Sequence, residues 1–230
     1  MATVNNADAR MHMIDICKRM NSTGINQGTS GNLSFRIEGG FLLTPTSLRY
    51  EIMQPDDIVE MDFSGNYKGN RKPSSEWRFH RDILAARPDR NVVLHCHSSY
   101  ATSMAILNLP ITSFHYMVGI AGGNDIRCAK YATYGTQELS DNVLEALRER
   151  DACLLAHHGQ IVTAADLERA LRLAVEVETL ARFYIQAKAV GEPALLSAAE
   201  MGKVIEQMRR MKYSGSPDLD HVGERHSQLA

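Results

Sequence analysis

Four of the chain's nine histidines stand in two tight groups, His95-Cys96-His97 and His157-His158-Gly159. The first closes the apolar run from Asn91 to Ser98, and along a strand the side-chain period of two sends His95 and His97 to the same face. Two neutral imidazoles on one rigid element supply two of the three ligands of a catalytic zinc ion, whose fourth position stays open to substrate. An H-x-H pair fits equally well as a polar pair at a strand end, satisfied by backbone carbonyls. The second group ends another apolar run, Cys153-Leu-Leu-Ala156, at a glycine that lets backbone approach closely. Strand alternation turns only one of its two histidines toward a common site and leaves the other as a structural or supporting residue. Spacing alone does not choose between them.

Glu76 and His80 add an E-x-x-x-H pair on one helix face. They form either an alternative ligand pair or an acid/base glutamate beside a buried or interface histidine. Three short segments suit a phosphate dianion: Gly28-Thr-Ser-Gly-Asn32, Thr44-Pro-Thr-Ser47 and Pro73-Ser-Ser75. Each combines hydroxyls, free backbone N–H groups and, in the first, glycines that allow close approach. Each alone is also an ordinary turn or helix cap.

These residues need elements to position them. A helix is expected from Ala7 to Met20, then a polar glycine-rich loop to Asn32. Strands are expected at Leu33 to Ile37, Phe41 to Thr44 and Ile58 to Phe63. A helix opened by capping serines is read over Ser74 to Ala86, a strand over Asn91 to Ser98, and a short helix over Ala101 to Leu107. Ile111 to Tyr134 mixes strand-like pieces with glycines. Helix from Thr136 to Arg150 and a strand-like stretch from Ala152 to Val162 follow. Thr163-Ala-Ala-Asp166 reads as the capping signature of a long helix carrying Leu167, Ala170, Leu171, Ala174, Val177, Ala181 and Tyr184, and Ser197-Ala-Ala-Glu200 as that of a last helix to about Lys212. Residues 214–230 read as a loose tail on a single domain spanning 1–230.

With 230 residues, 44% of them hydrophobic, the chain has enough apolar material for one large core. A net charge of -2 gives no broad footprint for nucleic acid or an anionic membrane. The first eight residues have neither a basic start nor an apolar stretch, and no segment approaches the roughly 20 apolar residues of a membrane span, so a cytoplasmic protein is expected. Four scattered cysteines form no C-x-x-C pair and are expected to be thiols.

Taken together, Gly24 to Asn32, Leu43-Thr-Pro-Thr46, Lys72-Pro-Ser-Ser-Glu-Trp-Arg-Phe-His80, His115-Tyr116 with Ala121-Gly-Gly-Asn124, Tyr131-Ala-Thr133 and Leu154 to Gly159 resemble the class II aldolase and adducin-head superfamily, over about Ala9 to Lys212. The resemblance implies an α/β fold with a central, mainly antiparallel sheet flanked by helices, assembled as a homotetramer with active sites between subunits. It implies that His95, His97 and His158 hold zinc, with cobalt or manganese as alternatives, and that Glu76 touches the metal at rest and then serves as acid/base. Gly31, Asn32, Thr46, Ser47, Ser74 and Ser75 become the phosphate pocket, and Tyr116 a proton donor from the neighbouring subunit.

The implied reaction is reversible cleavage of a phosphorylated ketose into dihydroxyacetone phosphate and an aldehyde, without a lysine Schiff base. L-fuculose 1-phosphate, 5-deoxyribulose 1-phosphate and 5-methylthioribulose 1-phosphate are the substrates the resemblance suggests. Ser47, Cys96, Tyr134 and Ala156 depart from the fuculose-phosphate pattern, where glycine, asparagine, phenylalanine and glutamine are usual, and point to a smaller or more apolar aldehyde. Alternatives within the superfamily are a zinc dehydratase, an epimerase of a related sugar phosphate, and a non-catalytic adducin-type interaction module. Retention of the histidines and Glu76 argues against the last.

Overall fold

The computed structural model describes residues 6–211. The expected tail at 214–230 and the end of the last helix at Lys212 lie outside them. Six helices occur among the described residues: α1 (Asn6–Ser22), α2 (Trp77–Ala86), α3 (Ser99–Ile106), α4 (Gln137–Ala146), α5 (Leu167–Val190) and α6 (Ala198–Arg210). Eight strands accompany them: β1 (Asn32–Ile37), β2 (Gly40–Leu43), β3 (Val59–Asp62), β4 (Tyr67–Lys68), β5 (Val92–Cys96), β6 (Arg127–Ala129), β7 (Ala152–Leu155) and β8 (Gly159–Ala164).

The strands make one sheet in the order β4-β3-β2-β1-β5-β8-β7-β6. Every neighbouring pair is antiparallel except β6 and β7, as the mainly antiparallel expectation required. Central strands are covered on both faces, so they read as continuous apolar runs rather than alternating ones. Val92, Leu94 and Cys96 of β5 enter the core under α1, α3 and α5. Val93 enters the other, under α2 and α4, with Cys153, Leu155 and Ile161. His95 alternates onto this second face, opposite Asn32 of β1 and Ile161 of β8.

Several boundaries shift for physical reasons. Serine does not cap α2: the helix begins at Trp77 with Glu76 in the N-cap position, and the Ser74 hydroxyl accepts from the Glu76 N–H at 3.3 Å. Thr163 does not cap α5, because β8 runs to Ala164 and the Thr163 hydroxyl donates to the Val92 carbonyl. Asp166 caps instead, accepting from the Arg169 N–H at 2.8 Å. Ser197 caps α6 as expected. The strand-like stretch from Ala152 to Val162 is a hairpin, β7-turn-β8. Ile111 to Tyr134 holds a 3-10 turn at Tyr116–Ala121 and strand β6. All four cysteines are free. Among the described residues no helix is long and apolar enough to cross a membrane.

Candidate metal centre and active site

The end of β5 and the β7–β8 turn meet at one point on the α2 side of the sheet. His95 is the penultimate residue of β5, His97 follows the strand, and His158 sits in the β7–β8 turn. Their ligand atoms all lie within 4.8 Å of one another, and the three rings meet edge to face at centroid distances of 4.7 to 4.9 Å. The turn, rather than strand alternation, decides the histidine doublet. Leu155 pairs with Gly159, the His158 N–H donates to the Leu155 carbonyl, and His157 takes φ 57° in the left-handed region. That bend turns His157 away, toward Asn108 at 3.4 Å and the edge of Tyr131, while His158 faces the cluster. A Cβ on Gly159 would lie 2.6 Å from the Cys96 carbonyl oxygen and 3.0 Å from the His97 ring, so only glycine lets the turn close over the imidazoles.

The electrostatics ask for a cation. His95 is fully buried and its Nδ1–H donates to the Gln160 carbonyl at 2.9 Å, which leaves Nε2 as a bare lone pair. Burial, reinforced by His97, pushes the His95 pKa down to about 3, and burial with His95 beside it does the same to His158. Burial also lowers that of His97. The imidazoles are thus neutral, as metal ligation requires. His95 Nε2 nevertheless sits 3.0 Å from His97 Nε2 and 3.3 Å from Glu76 Oε2, and His158 Nε2 lies 3.4 Å from Glu76 Oε1. Glu76 Oε1 is buried with no hydrogen-bond partner. A divalent ion among these atoms would convert crowded lone pairs and an orphaned carboxylate oxygen into ligand contacts. Three nitrogens and one oxygen are a donor set that suits zinc.

Glu76 reaches the site because the N-cap residue of α2 uses its side chain for something other than capping. Asn32 Nδ2 donates to Glu76 Oε2 at 2.9 Å. His80, one turn along α2, faces Asn32 Oδ1 at 2.6 Å and Ser34 Oγ at 2.7 Å, so it is a buried histidine and not a partner of Glu76 in a ligand pair. Desolvation holds its pKa well below the ordinary histidine value.

The three segments read as suited to an anion converge on the same end of the sheet. Pro45 and Pro73 form an antiparallel bridge, with Thr46 N–H donating to the Lys72 carbonyl and Ser74 N–H to that of Thr44. Thr46, Ser47 and Ser75 are exposed there, while Ser74 and Asn32 are buried. Ser47 adopts φ 57°. Gly31 is packed so that a Cβ would stand 2.6 Å from the His95 carbonyl oxygen. A cavity of about 340 Å³ joins Ser30, Ser75 and Glu76 to His97 and His158, with Tyr131, Tyr134 and His157 as its other walls. Of the departures from the fuculose-phosphate pattern, Tyr134 lines this cavity, whereas Cys96 points into the opposite core. Tyr116 is half-exposed and lines a different cavity, against α6.

Gln160 and Ser34 carry weight that the sequence reading missed. Gln160 fixes the His95 tautomer through its backbone carbonyl, and its side chain is buried against Ser98 and the Ala174 carbonyl. The signal for Ser34 lay in β1, where polar Asn32 and Ser34 alternate with apolar Leu33 and Phe35 although both faces are covered.

This arrangement of fold and site has relatives. The family profile of the class II aldolase and adducin N-terminal domain matches residues 11–185. A 5-methylthioribulose-1-phosphate/5-deoxyribulose-1-phosphate aldolase of Rhodospirillum rubrum is 50% identical over 200 residues, 87% of this chain and 90% of that protein. An L-fuculose phosphate aldolase of Escherichia coli O6:H1 is 48% identical over 86% of this chain and 92% of that protein. Among solved structures, an L-fuculose 1-phosphate aldolase superposes with a TM-score of 0.87 at 37% identity, covering 91% of this chain and all of that one. The chain belongs to the class II aldolase and adducin family. Identity of this extent to aldolases, along nearly the whole length of each, makes it an aldolase, a lyase that breaks a carbon–carbon bond.

Proposed function

We propose that the protein is a zinc-dependent aldolase that reversibly cleaves a ketose 1-phosphate into dihydroxyacetone phosphate and an aldehyde. The single observation that carries this is the meeting of three clustered imidazoles with the unpartnered Oε1 of Glu76 beside a cavity rimmed by serines. His95, His97 and His158 hold the ion, with Glu76 against it at rest. When bound, a divalent ion supplies Lewis-acid polarisation of the ketone and hydroxyl oxygens of the three-carbon unit. Glu76 moves the proton: in synthesis it takes one from the hydroxymethyl carbon of dihydroxyacetone phosphate, and in cleavage it returns one to that carbon after the C3–C4 bond breaks.

Gly31, Asn32, Thr46, Ser47, Ser74 and Ser75 grip the phosphate. Backbone N–H groups and hydroxyls make up that grip. Tyr116 acts across a subunit boundary in a homotetramer, protonating the aldehyde oxygen. Its exposure and its distance from the histidine cavity in its own chain support donation to a neighbour. L-fuculose 1-phosphate, 5-deoxyribulose 1-phosphate and 5-methylthioribulose 1-phosphate are the candidate substrates, after the relatives that carry those names, and the enzyme works in the cytoplasm.

Metal-loaded protein incubated with these three ketose phosphates, with and without chelator, tests the reading through coupled detection of dihydroxyacetone phosphate. Chelator-sensitive release is expected from at least one of them. Turnover without dihydroxyacetone phosphate would instead identify a dehydratase or an epimerase, and no turnover with any of them would sink the aldolase assignment.

A further inference from the structure

We infer that His80 is a positioning residue for Glu76, acting by locking the side-chain amide of Asn32, with Ser34 locking His80 in turn. The inference rests on the reading of Glu76 as the proton carrier of an aldolase, and it assigns a part to two residues that touch neither metal nor substrate.

The direction of each hydrogen bond is forced. A carboxylate oxygen only accepts, so Asn32 Nδ2 donates to Glu76 Oε2 at 2.9 Å. The amide's other end, Oδ1, is then an acceptor and lies 2.6 Å from His80 Nε2, which must carry the hydrogen. A histidine buried with no acid against it is neutral, so its Nδ1 is a lone pair, and Ser34 Oγ at 2.7 Å donates to it. Ser34, His80, Asn32 and Glu76 are all buried, and every bond in the chain points its hydrogen toward the carboxylate. Bonds so aligned polarise one another and stabilise the anion at the end.

The useful consequence is geometric. An asparagine amide can flip, and a flipped Asn32 would press Oδ1 against Glu76 Oε2 and expel the carboxylate from its place. His80 forbids the flip, because its Nε2–H would then face an amide N–H. With Oε2 tied, Oε1 is the oxygen left without a hydrogen bond, and it is the one that faces His158. A proton carrier must be held to fractions of an ångström, which a long glutamate side chain at a helix start does not achieve by itself.

The test compares His80→Phe, His80→Gln and Ser34→Ala in the full-length, metal-loaded protein. The readouts are cleavage kinetics, melting temperature, bound metal, and exchange of the hydroxymethyl hydrogen of dihydroxyacetone phosphate with deuterated water. Phenylalanine keeps the ring volume and deletes both hydrogen bonds, so exchange and kcat should fall about 10²-fold, the scale of a misplaced catalytic group. KM and bound metal should stay within about twofold, as for a group that acts only on the chemical step. His80→Gln, whose amide nitrogen can stand where Nε2 stood, should recover most of the loss, and Ser34→Ala should show a smaller loss of the same kind.

Full exchange in His80→Phe, equal losses in the phenylalanine and glutamine variants, or a loss confined to KM would overturn the lock. Absence of exchange in the wild type would defeat the aldolase reading and not the lock. The lock is then judged by ¹⁵N-histidine spectra of the wild type, with His80 assigned through His80→Gln. A neutral His80 with a slowly exchanging proton on Nε2 supports it, and a proton on Nδ1 or on both nitrogens overturns it.

Discussion

Strands β5 and β7 carry a polar cluster at each end, and the two clusters are built on opposite terms. At the start of the strands, Asp151 accepts from Arg87 at 3.0 Å and from both Nε and Nη2 of Arg90 at 3.0 and 2.9 Å. Arg87 also donates to the Arg150 carbonyl, and Arg150 spends its own guanidinium on Asp125 and Asn124. This cluster borders a cavity of about 490 Å³, larger than the one beside the histidines. Yet its carboxylates and arginines answer one another. At the far end, three neutral imidazoles crowd together around a glutamate whose Oε1 is buried without a hydrogen-bond partner. Neither cavity size nor charge distinguishes a working site from a structural clamp here. What does is the kind of polar capacity left unspent: the buried orphans at Thr102, Thr112 and Gln160 are single neutral oxygens, whereas here an orphaned carboxylate oxygen stands beside three clustered imidazoles.

The sharpest way to break this contrast is at the histidine doublet. His158→Ala removes a nitrogen that the cluster needs, whereas His157→Ala removes a ring that the left-handed turn directs toward Asn108. Bound metal measured on purified protein should drop sharply in the first variant, with affinity lowered beyond the 10–100-fold usual for outer partners, and kcat should fall with it. The second should keep its metal. Equal metal loss in both, or loss in His157→Ala alone, would undo the assignment of the ligand set.

How far such a site can be read in the sequence depends on the range of the forces that make it. His95 and His97 were legible because the period of a strand is local, and the long helix α5 because its apolar spacing is. The cap of α6 at Ser197 was legible for the same reason. Thr163 misled because a hydroxyl competes for any nearby carbonyl, and β8 offered that of Val92. The Ser74 cap failed because the chain there is held by its bridge to Pro45, which delays the helix until Trp77. The choice of His158 needed the turn geometry and came only from family resemblance. The chain from Ser34 through His80 and Asn32 to Glu76 was invisible, since its links join residues 44 to 48 positions apart and exist only once α2 lies on the sheet.

A milder break is Asp151→Asn at the compensated end. Arg87 and Arg90, each about three-quarters buried, would lose the more buried of the two carboxylates they share and keep Asp89, which is 54% exposed. The cost should be about 1–3 kcal/mol, because the donors left behind have been taken out of water for that partner. In a chain of this size that is a melting temperature lower by roughly 3–10 °C. Metal content and kcat, measured below the transition, should match the wild type. A variant that melts normally and loses activity would mean that the clamp takes part in the chemistry, and the contrast between the two ends would fail.

The smallest effect belongs to a third kind of polar cluster, open to solvent. Glu168 at the start of α5 takes a two-pronged bond from Arg19 of α1, at 2.6 and 3.0 Å, with His12 at 3.1 Å. The Arg19 bond, before the weaker contribution of His12, lowers the Glu168 pKa to about 2. An unfolded glutamate titrates near 4.3, so folding favours the ionised form. The stabilisation is therefore complete above about pH 5 and is lost as the pH falls through 4 toward 2. Both side chains are more than a third exposed, at 38% and 40%, so water screens most of what that shift would suggest. Glu168→Gln should cost about 0.5 kcal/mol near pH 7, a shift of about 1–2 °C. Melting curves of the variant and the wild type should converge near pH 2, and should draw together in 1 M salt at neutral pH as well. A difference that persisted at low pH would show that Glu168 works through packing rather than charge. A carboxylate that is structural when exposed beside Arg19, and structural again when half-buried among Arg87 and Arg90, becomes a candidate for catalysis at the end of the sheet where Glu76 Oε1 has no partner.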